Sequence, residues 1–250
     1  MTITAPTDVT KGSQRAPMSS LRKSALLVGI LFVITYITAI AAKFWLYQPL
    51  LGNPAYVVGD GPDTLALWGA FAEVILIIAN IGTAVALFPV LRRRYPGLAL
   101  GFVTARVMES VFIAVGILSI LTIVTLRQDF AGGATENGAL VTVGHAFVTL
   151  QEWTFQLGPG FVVGVGNGMI LGYMLYRSNL VPRGMAVLGL IGGPLVCISG
   201  TAVILGVIDG GSAVQMLACM PEFFWELSLG IYLIVKGFKP SAITAGTVDA

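Results

Sequence analysis

The sequence predicts an all-α polytopic membrane protein, a bundle of six transmembrane helices with both termini on the cytoplasmic side. Three observations carry the prediction. Of 250 residues, 56% are hydrophobic and 10% are charged, where a soluble domain carries about 25% charged residues; the mean hydropathy is +0.89. Six apolar runs are each long enough, at about 1.5 Å per residue, to cross a hydrocarbon core of about 30 Å. Finally, with six spans threaded, every Lys and Arg outside the spans except Lys43 and Arg127 falls on the side of the termini. The positive-inside rule makes that side cytoplasmic.

Taken in order, residues 1–20 (MTITAPTDVTKGSQRAPMSS) are polar and lack the apolar centre of a signal peptide, so they read as a flexible cytoplasmic tail. The first span covers about 24–42 and runs into Phe44, Trp45 and Tyr47, an aromatic anchor for a membrane interface. The second, about 65–91, stops at Arg92, Arg93 and Arg94, and the third follows Tyr95-Pro96-Gly97 over about 98–126. The fourth covers about 153–176 and is closed by Arg177; the apolar stretch before it, ALVTVGHAFVTLQEW, reads as a short surface helix leading in. The fifth covers about 183–208 and the sixth about 212–235, with Lys236 and Lys239 just beyond. Residues 21–238 thus form one transmembrane domain, and 239–250 form a second cytoplasmic tail. The long connections at 43–64 and 127–151 are placed to cap the bundle.

Several functions are excluded by what the chain carries. A net charge of +2 is too small to imply a nucleic-acid partner. Cys197 and Cys219 lie in apolar runs without ligand spacing, and His145 is the one histidine. No metal set, disulfide framework or cofactor is therefore expected. His145 reads as a polar residue at headgroup level. Gly160, Gly164, Gly168 and Gly172 recur every four residues and clear one helix face for close packing. The run G-V-G-N-G within them follows no strand, which argues against a nucleotide loop. Pro89, Pro159, Pro194 and Pro221 each remove a backbone donor, and Pro159 and Pro194, set among glycines, are the expected kinks.

The informative residues are the charges inside the spans: Glu73 in the second, Arg106 and Glu109 in the third, Glu222 and Glu226 in the sixth, with Glu152 at the edge of the fourth. One central charge costs about 2.5–3.5 kcal/mol on insertion scales, so these side chains are expected to face the bundle interior together. Counting from each span's centre puts Glu109, Glu222 and Glu226 within about 5 Å of the midplane, with Glu73 and Arg106 roughly 7–9 Å from it. Arg106 and Glu109 share a face at i, i+3, and Glu222 and Glu226 at i, i+4, so Arg106 is placed to bridge to Glu109 or Glu226. One arginine cannot neutralise four acids. At least one must be held as the neutral acid, bonded to Asn80, Gln156, Asn167 or a backbone carbonyl, or must bind a proton or cation.

Three readings follow: a register-fixing polar network in a structural or accessory subunit; a site that binds or moves a proton, cation or small polar solute; or a metal-independent intramembrane enzyme. For the last, the hydroxyl candidates are Ser110, Ser119 and Ser228, and no catalytic set is assigned. The expected partner is the lipid bilayer, with homo-oligomerisation left open.

Four segments also carry a resemblance: PEFFWELSLGIYLIVKGF, ALFPVLRRRYPGLALGFVTARVMES, TLRQDFA and LGPGFVVGVGNGMILGYMLYRSNLVPR. Together they resemble a bacterial integral membrane family catalogued as domain of unknown function 4386, over about Leu21 to Pro240. The resemblance implies a multi-span helical membrane protein of bacteria. It brings no activity, cofactor or catalytic residue to carry over. The positions most characteristic of the family's pattern are Glu73, Arg106, Glu109, Pro221, Glu222 and Glu226.

Overall fold

The computed structural model describes residues 19–53, 55–59, 62–130 and 137–241, all helix or connection with no strand among them. The expected tails, 1–20 and 239–250, lie outside the described residues except at their inner ends. Six helical stretches are long and apolar enough to cross a membrane. They are best followed through their ends.

Helix α1 (Ser20–Ala41) begins at Ser19, whose hydroxyl accepts from Arg22 N at 3.3 Å, and continues as a π-helical turn, Ala42–Leu46. A short helix α2 (Gln48–Leu51) and a 3-10 turn at Tyr56–Val58 lead to α3 (Thr64–Leu91). The tight Arg92–Tyr95 connection follows, and Pro96, whose missing N–H costs nothing in a first turn, opens α4 (Pro96–Phe130). The fourth stretch comprises α5 (Asn137–Leu157), two π-helical segments at Gly158–Val162 and Gly164–Leu171, and α6 (Gly172–Ser178), ended by Asn179 in the left-handed region at φ 55°. Helices α7 (Arg183–Ile204) and α8 (Ala213–Val235) complete the chain. A reciprocal cap starts α8: Ser212 Oγ accepts from Gln215 N at 3.5 Å, while Gln215 Oε1 accepts from Gly211 N at 2.6 Å.

Each long stretch packs along the next, and α8 closes back onto α1, so the six form a ring of antiparallel neighbours. The closure is bonded. Arg22 donates from Nη1 to Leu233 O at 2.9 Å and from Nη2 to Ile234 O at 2.6 Å, covering carbonyls that the end of α8 would otherwise leave open. Exposed aromatics mark the slab: Trp45, Trp68 and Trp153 lie toward one end, with Tyr173 toward the other.

The fourth stretch differs from the expectation. ALVTVGHAFVTLQEW is not a separate surface helix but the body of α5, continuous with the residues that enter the membrane. It is long because α4 is long: 35 residues span about 50 Å, well beyond a core of about 30 Å. The surplus turns of α4 and the start of α5 pack together beyond the tryptophan level. Val57 inserts against Gly144, where an added Cβ would come within 2.9 Å of Val57 Cγ1. Tyr47, Leu50, Ile120, Ile123 and Val124 fill the centre of this lobe. Asp63 fastens it, accepting from Arg127 Nη1 at 2.7 Å, Gln128 Nε2 at 3.0 Å and Tyr56 Oη at 3.0 Å. Burial pushes the Tyr56 hydroxyl's pKa up, and the adjacent Asp63 pushes it further. Helix α7 ends at Ile204, short of the expected 208, because Gly206 turns the chain at φ 69°.

Candidate functional site

Polar side chains from five of the six long stretches meet at the middle of the ring. From α4 come Arg106 and Glu109, 2% and 5% exposed, one helical turn apart on the buried face. Arg106 Nη1 donates to Glu109 Oε2 at 2.8 Å, so the arginine's one hydrogen-bonded ion pair lies within its own helix rather than across to Glu226. Asn80 of α3 donates from Nδ2 to the other oxygen, Glu109 Oε1, at 3.1 Å. Phe32 of α1 lies beneath the guanidinium, 5.6 Å from ring centroid to Cζ, a cation–π contact in a dry setting. This half of the seam is well bonded around Glu109.

The other half is built by α8 and the π-helical part of the fourth stretch. Asn167 is fully buried; its Nδ2 donates to Glu226 Oε1, and its backbone carbonyl accepts from Trp225 Nε1 at 3.1 Å. Tyr36 of α1 sits beside Glu226 and donates to Phe223 O at 2.6 Å. Glu226 is partly buried, whereas Glu222 is 4% exposed.

Both carboxyl oxygens of Glu222 are buried without a hydrogen-bond partner, as are Asn167 Oδ1 and Arg106 Nε and Nη2. Such groups are rare in folded proteins and costly. Glu109, Glu222, Glu226 and Arg106 are close enough for their charges to act on one another.

Glycine makes the room. An added Cβ would lie 2.6 Å from Glu222 Oε2 at Gly168 and 2.7 Å from it at Gly192. Gly164 and Gly168 approach the backbone of Gly193, and Gly172 faces Ala186, Gly189 and Leu190, all on α7. At Gly160 an added Cβ would instead meet Phe155 O and Gln156 of its own stretch, although Gly160 O lies against Gly200 of α7. The glycine run thus does two things: it brings α7 close and it leaves a slot for the Glu222 carboxyl.

Glu73 lies apart from this seam. It is seven residues, about 10 Å, from Asn80 along α3, with buried Leu76, Ile113 and Ile117 between the two levels. Its partner is Tyr47, which donates from Oη to Glu73 Oε2 at 2.9 Å. Lys43 sits within electrostatic reach of Glu73, donates to Gln151 Oε1 at 3.4 Å and lies 4.8 Å from the Phe155 ring centre. Gln156 is also elsewhere, accepting at Oε1 from Gln215 Nε2 at 2.7 Å near the start of α8.

The remaining candidates are placed as follows. His145 and Glu152 are exposed on α5. Cys197 and Cys219 are free, and no group of three or more His, Cys, Asp or Glu suited to a metal occurs among the described residues. The hydroxyls of Ser110, Ser119 and Ser228 each donate to a carbonyl of their own helix, at 2.8, 3.0 and 3.0 Å. Sequence reasoning missed Tyr36, Tyr47 and the Gly192–Gly193 pair as parts of polar centres. The glycine pair carried a signal, read there as the site of a kink, and Tyr47 was read as an interfacial anchor, whereas it is fully buried and turned in to Glu73.

No curated protein and no solved structure matches the chain. A family model does, and it covers residues 27–237, nearly the whole ring and both halves of its seam: the chain belongs to the family described as Domain of unknown function (DUF4386).

Proposed function

We propose that this multi-pass membrane protein binds and exchanges a proton at Glu222, as part of binding or moving a cation or small polar solute through the ring. The observation that carries the proposal is the Glu222 carboxyl, buried at mid-helix with neither oxygen bonded, while the nearby guanidinium makes its one bond, through Nη1, to Glu109. An unbonded carboxylate in hydrocarbon is expensive, whereas the neutral acid can donate to an acceptor such as the unpartnered Asn167 Oδ1. Taking up and giving up one proton then changes the charge of the seam by one unit. That is the elementary event of a proton-linked cycle.

The half formed by Arg106, Glu109 and Asn80 supports a different role for those residues. With Glu109 bonded from both sides, they fix the register of α3 against α4. Structural and exchanging functions are therefore divided between the two walls of one seam. The distribution of Lys and Arg supports termini in the cytoplasm, and the bacterial origin that the family resemblance implies supports the inner membrane of a bacterium.

A proton-binding titration of the purified protein in lipid nanodiscs tests the reading. Wild type is expected to take up one more proton than Glu222→Gln over the titrated range. Identical curves for the two folded proteins would refute it.

A further inference from the structure

The seam also holds a set of atoms that a proton alone does not use. We propose that Glu222 and Asn167 form a site for a monovalent metal cation of the sodium type, which competes with the proton for the same carboxyl. The inference rests on the proton-exchange reading and names the second occupant of that site.

Three oxygens of two side chains are buried without a donor: Glu222 Oε1, Glu222 Oε2 and Asn167 Oδ1. All are hard oxygen acceptors, the donor type that alkali and alkaline-earth cations take. Asn167 is 0% exposed and Glu222 4%, so neither side chain is exposed enough to meet its needs from bulk water. Asn167 is also held in place: its Nδ2 is committed to Glu226, one helical turn from Glu222, which leaves Oδ1 as the uncommitted end of the amide.

The backbone around it is π-helical from Gly164 to Leu171, and glycines flank Asn167 on both sides. Interrupted helices with accessible backbone are where membrane proteins hold coordinated cations. The slot beside Glu222 Oε2 exists because Gly168 and Gly192 carry no side chain.

Charge and coordination favour a monovalent ion. With every group ionised, Arg106 faces Glu109, Glu222 and Glu226, a formal charge of −2. A cation on Glu222 and a proton on Glu226 bring the seam to neutrality. Calcium ordinarily takes six to eight oxygens and magnesium keeps several waters in a strict octahedron, neither of which suits a dry slot where Glu222 alone has both oxygens unbonded. The titratable and charged groups facing Glu222 are Glu226 and Cys219 of its own helix, Arg106 and Glu109 of α4, Tyr36 of α1 and Cys197 of α7. The exchange is balanced: the neutral acid loses its proton from a carboxyl oxygen to water, and the resulting carboxylate takes the cation with no other bond changed.

The test uses the full chain in nanodiscs, weakly buffered with a pH-indicator dye, titrated with NaCl against choline chloride at constant ionic strength. About one proton is expected to appear per sodium bound, and the apparent Kd should rise about tenfold for each pH unit lowered while Glu222 is protonated. Glu222→Gln should abolish the release, and Asn167→Ser should weaken sodium binding about tenfold or more while the extra proton of the nanodisc titration remains. If Glu222→Gln does not fold, Asn167→Ser carries the comparison. Release by choline, release by MgCl2 without NaCl, or sodium binding unchanged by Asn167→Ser would overturn the cation site. No release from a wild type that still shows the Glu222 proton would overturn the cation inference alone; absence of that proton would remove the function proposed above.

Discussion

Arg106 and Glu222 lie in one seam with unlike degrees of satisfaction, and substitution should separate them. Arg106→Gln leaves Glu109 with Asn80 as its one remaining donor in a dry interior, a loss of about 3–5 kcal/mol, read as lost folded yield in detergent. Glu109→Gln should cost a similar amount by stranding Arg106. The double variant is expected to be better tolerated than either single one, because the buried charges leave together. Glu222→Gln removes no bond made by its carboxyl oxygens and should fold at or near the wild-type level. At this scale the sequence was informative about composition and poor about partners. Counting along helices put Glu109, Glu222 and Glu226 at one depth, since rise per residue is fixed. It could not assign Glu73 to Tyr47, because that contact depends on how the π turn after α1 carries Tyr47 back to α3.

Among the elements, the contact between the fourth stretch and α7 is the most demanding. An added Cβ at Gly193 would lie 2.5 Å from Gly164 O and 2.8 Å from Met169 N, both backbone atoms that cannot step aside. Gly193→Leu should therefore abolish folding, measured as loss of the monodisperse peak in size exclusion. Gly184, also on α7, has nothing within 4 Å of an added Cβ. Gly184→Ala should leave the melting temperature unchanged or raise it, by up to about 1 kcal/mol in stability. Arg22→Ala should speed hydrogen exchange at the end of α8, whose carbonyls at Leu233 and Ile234 it covers. The four-residue glycine spacing was readable as a packing face, and Gly164, Gly168 and Gly172 do meet α7. The π-helical winding was not readable, since it differs from α-helix by a hydrogen-bond shift that hydrophobic period does not register. The length of α5 was hidden for a related reason: its apolar residues cover the far end of α4 rather than lipid, so a hydropathy window began the stretch too late, near 153 instead of Asn137.

For the whole molecule, a ring of six antiparallel neighbours encloses the seam of Arg106, Glu109, Glu222 and Glu226, and everything proposed for the protein depends on it. The two ends differ. One carries the lobe fastened by Arg127 and Asp63, and the other carries Ser19, where α1 is capped, the end of α8 and most of the positive charge of the described residues. Single-cysteine labelling in a background lacking Cys197 and Cys219 should modify position 145 from outside intact cells, and position 179 only after permeabilisation. The reverse pattern would invert the orientation drawn from the charges. The proposal for the ring stands or falls with an exchangeable proton on Glu222. Difference infrared spectroscopy across a pH titration reads it most directly, in wild type and Glu222→Gln. A protonated-carboxyl C=O component is expected to disappear as pH rises in wild type, and that component, beyond whatever Glu226 contributes to both proteins, is expected to be missing from the variant. A band equal in both proteins, or no band at any pH, would contradict it.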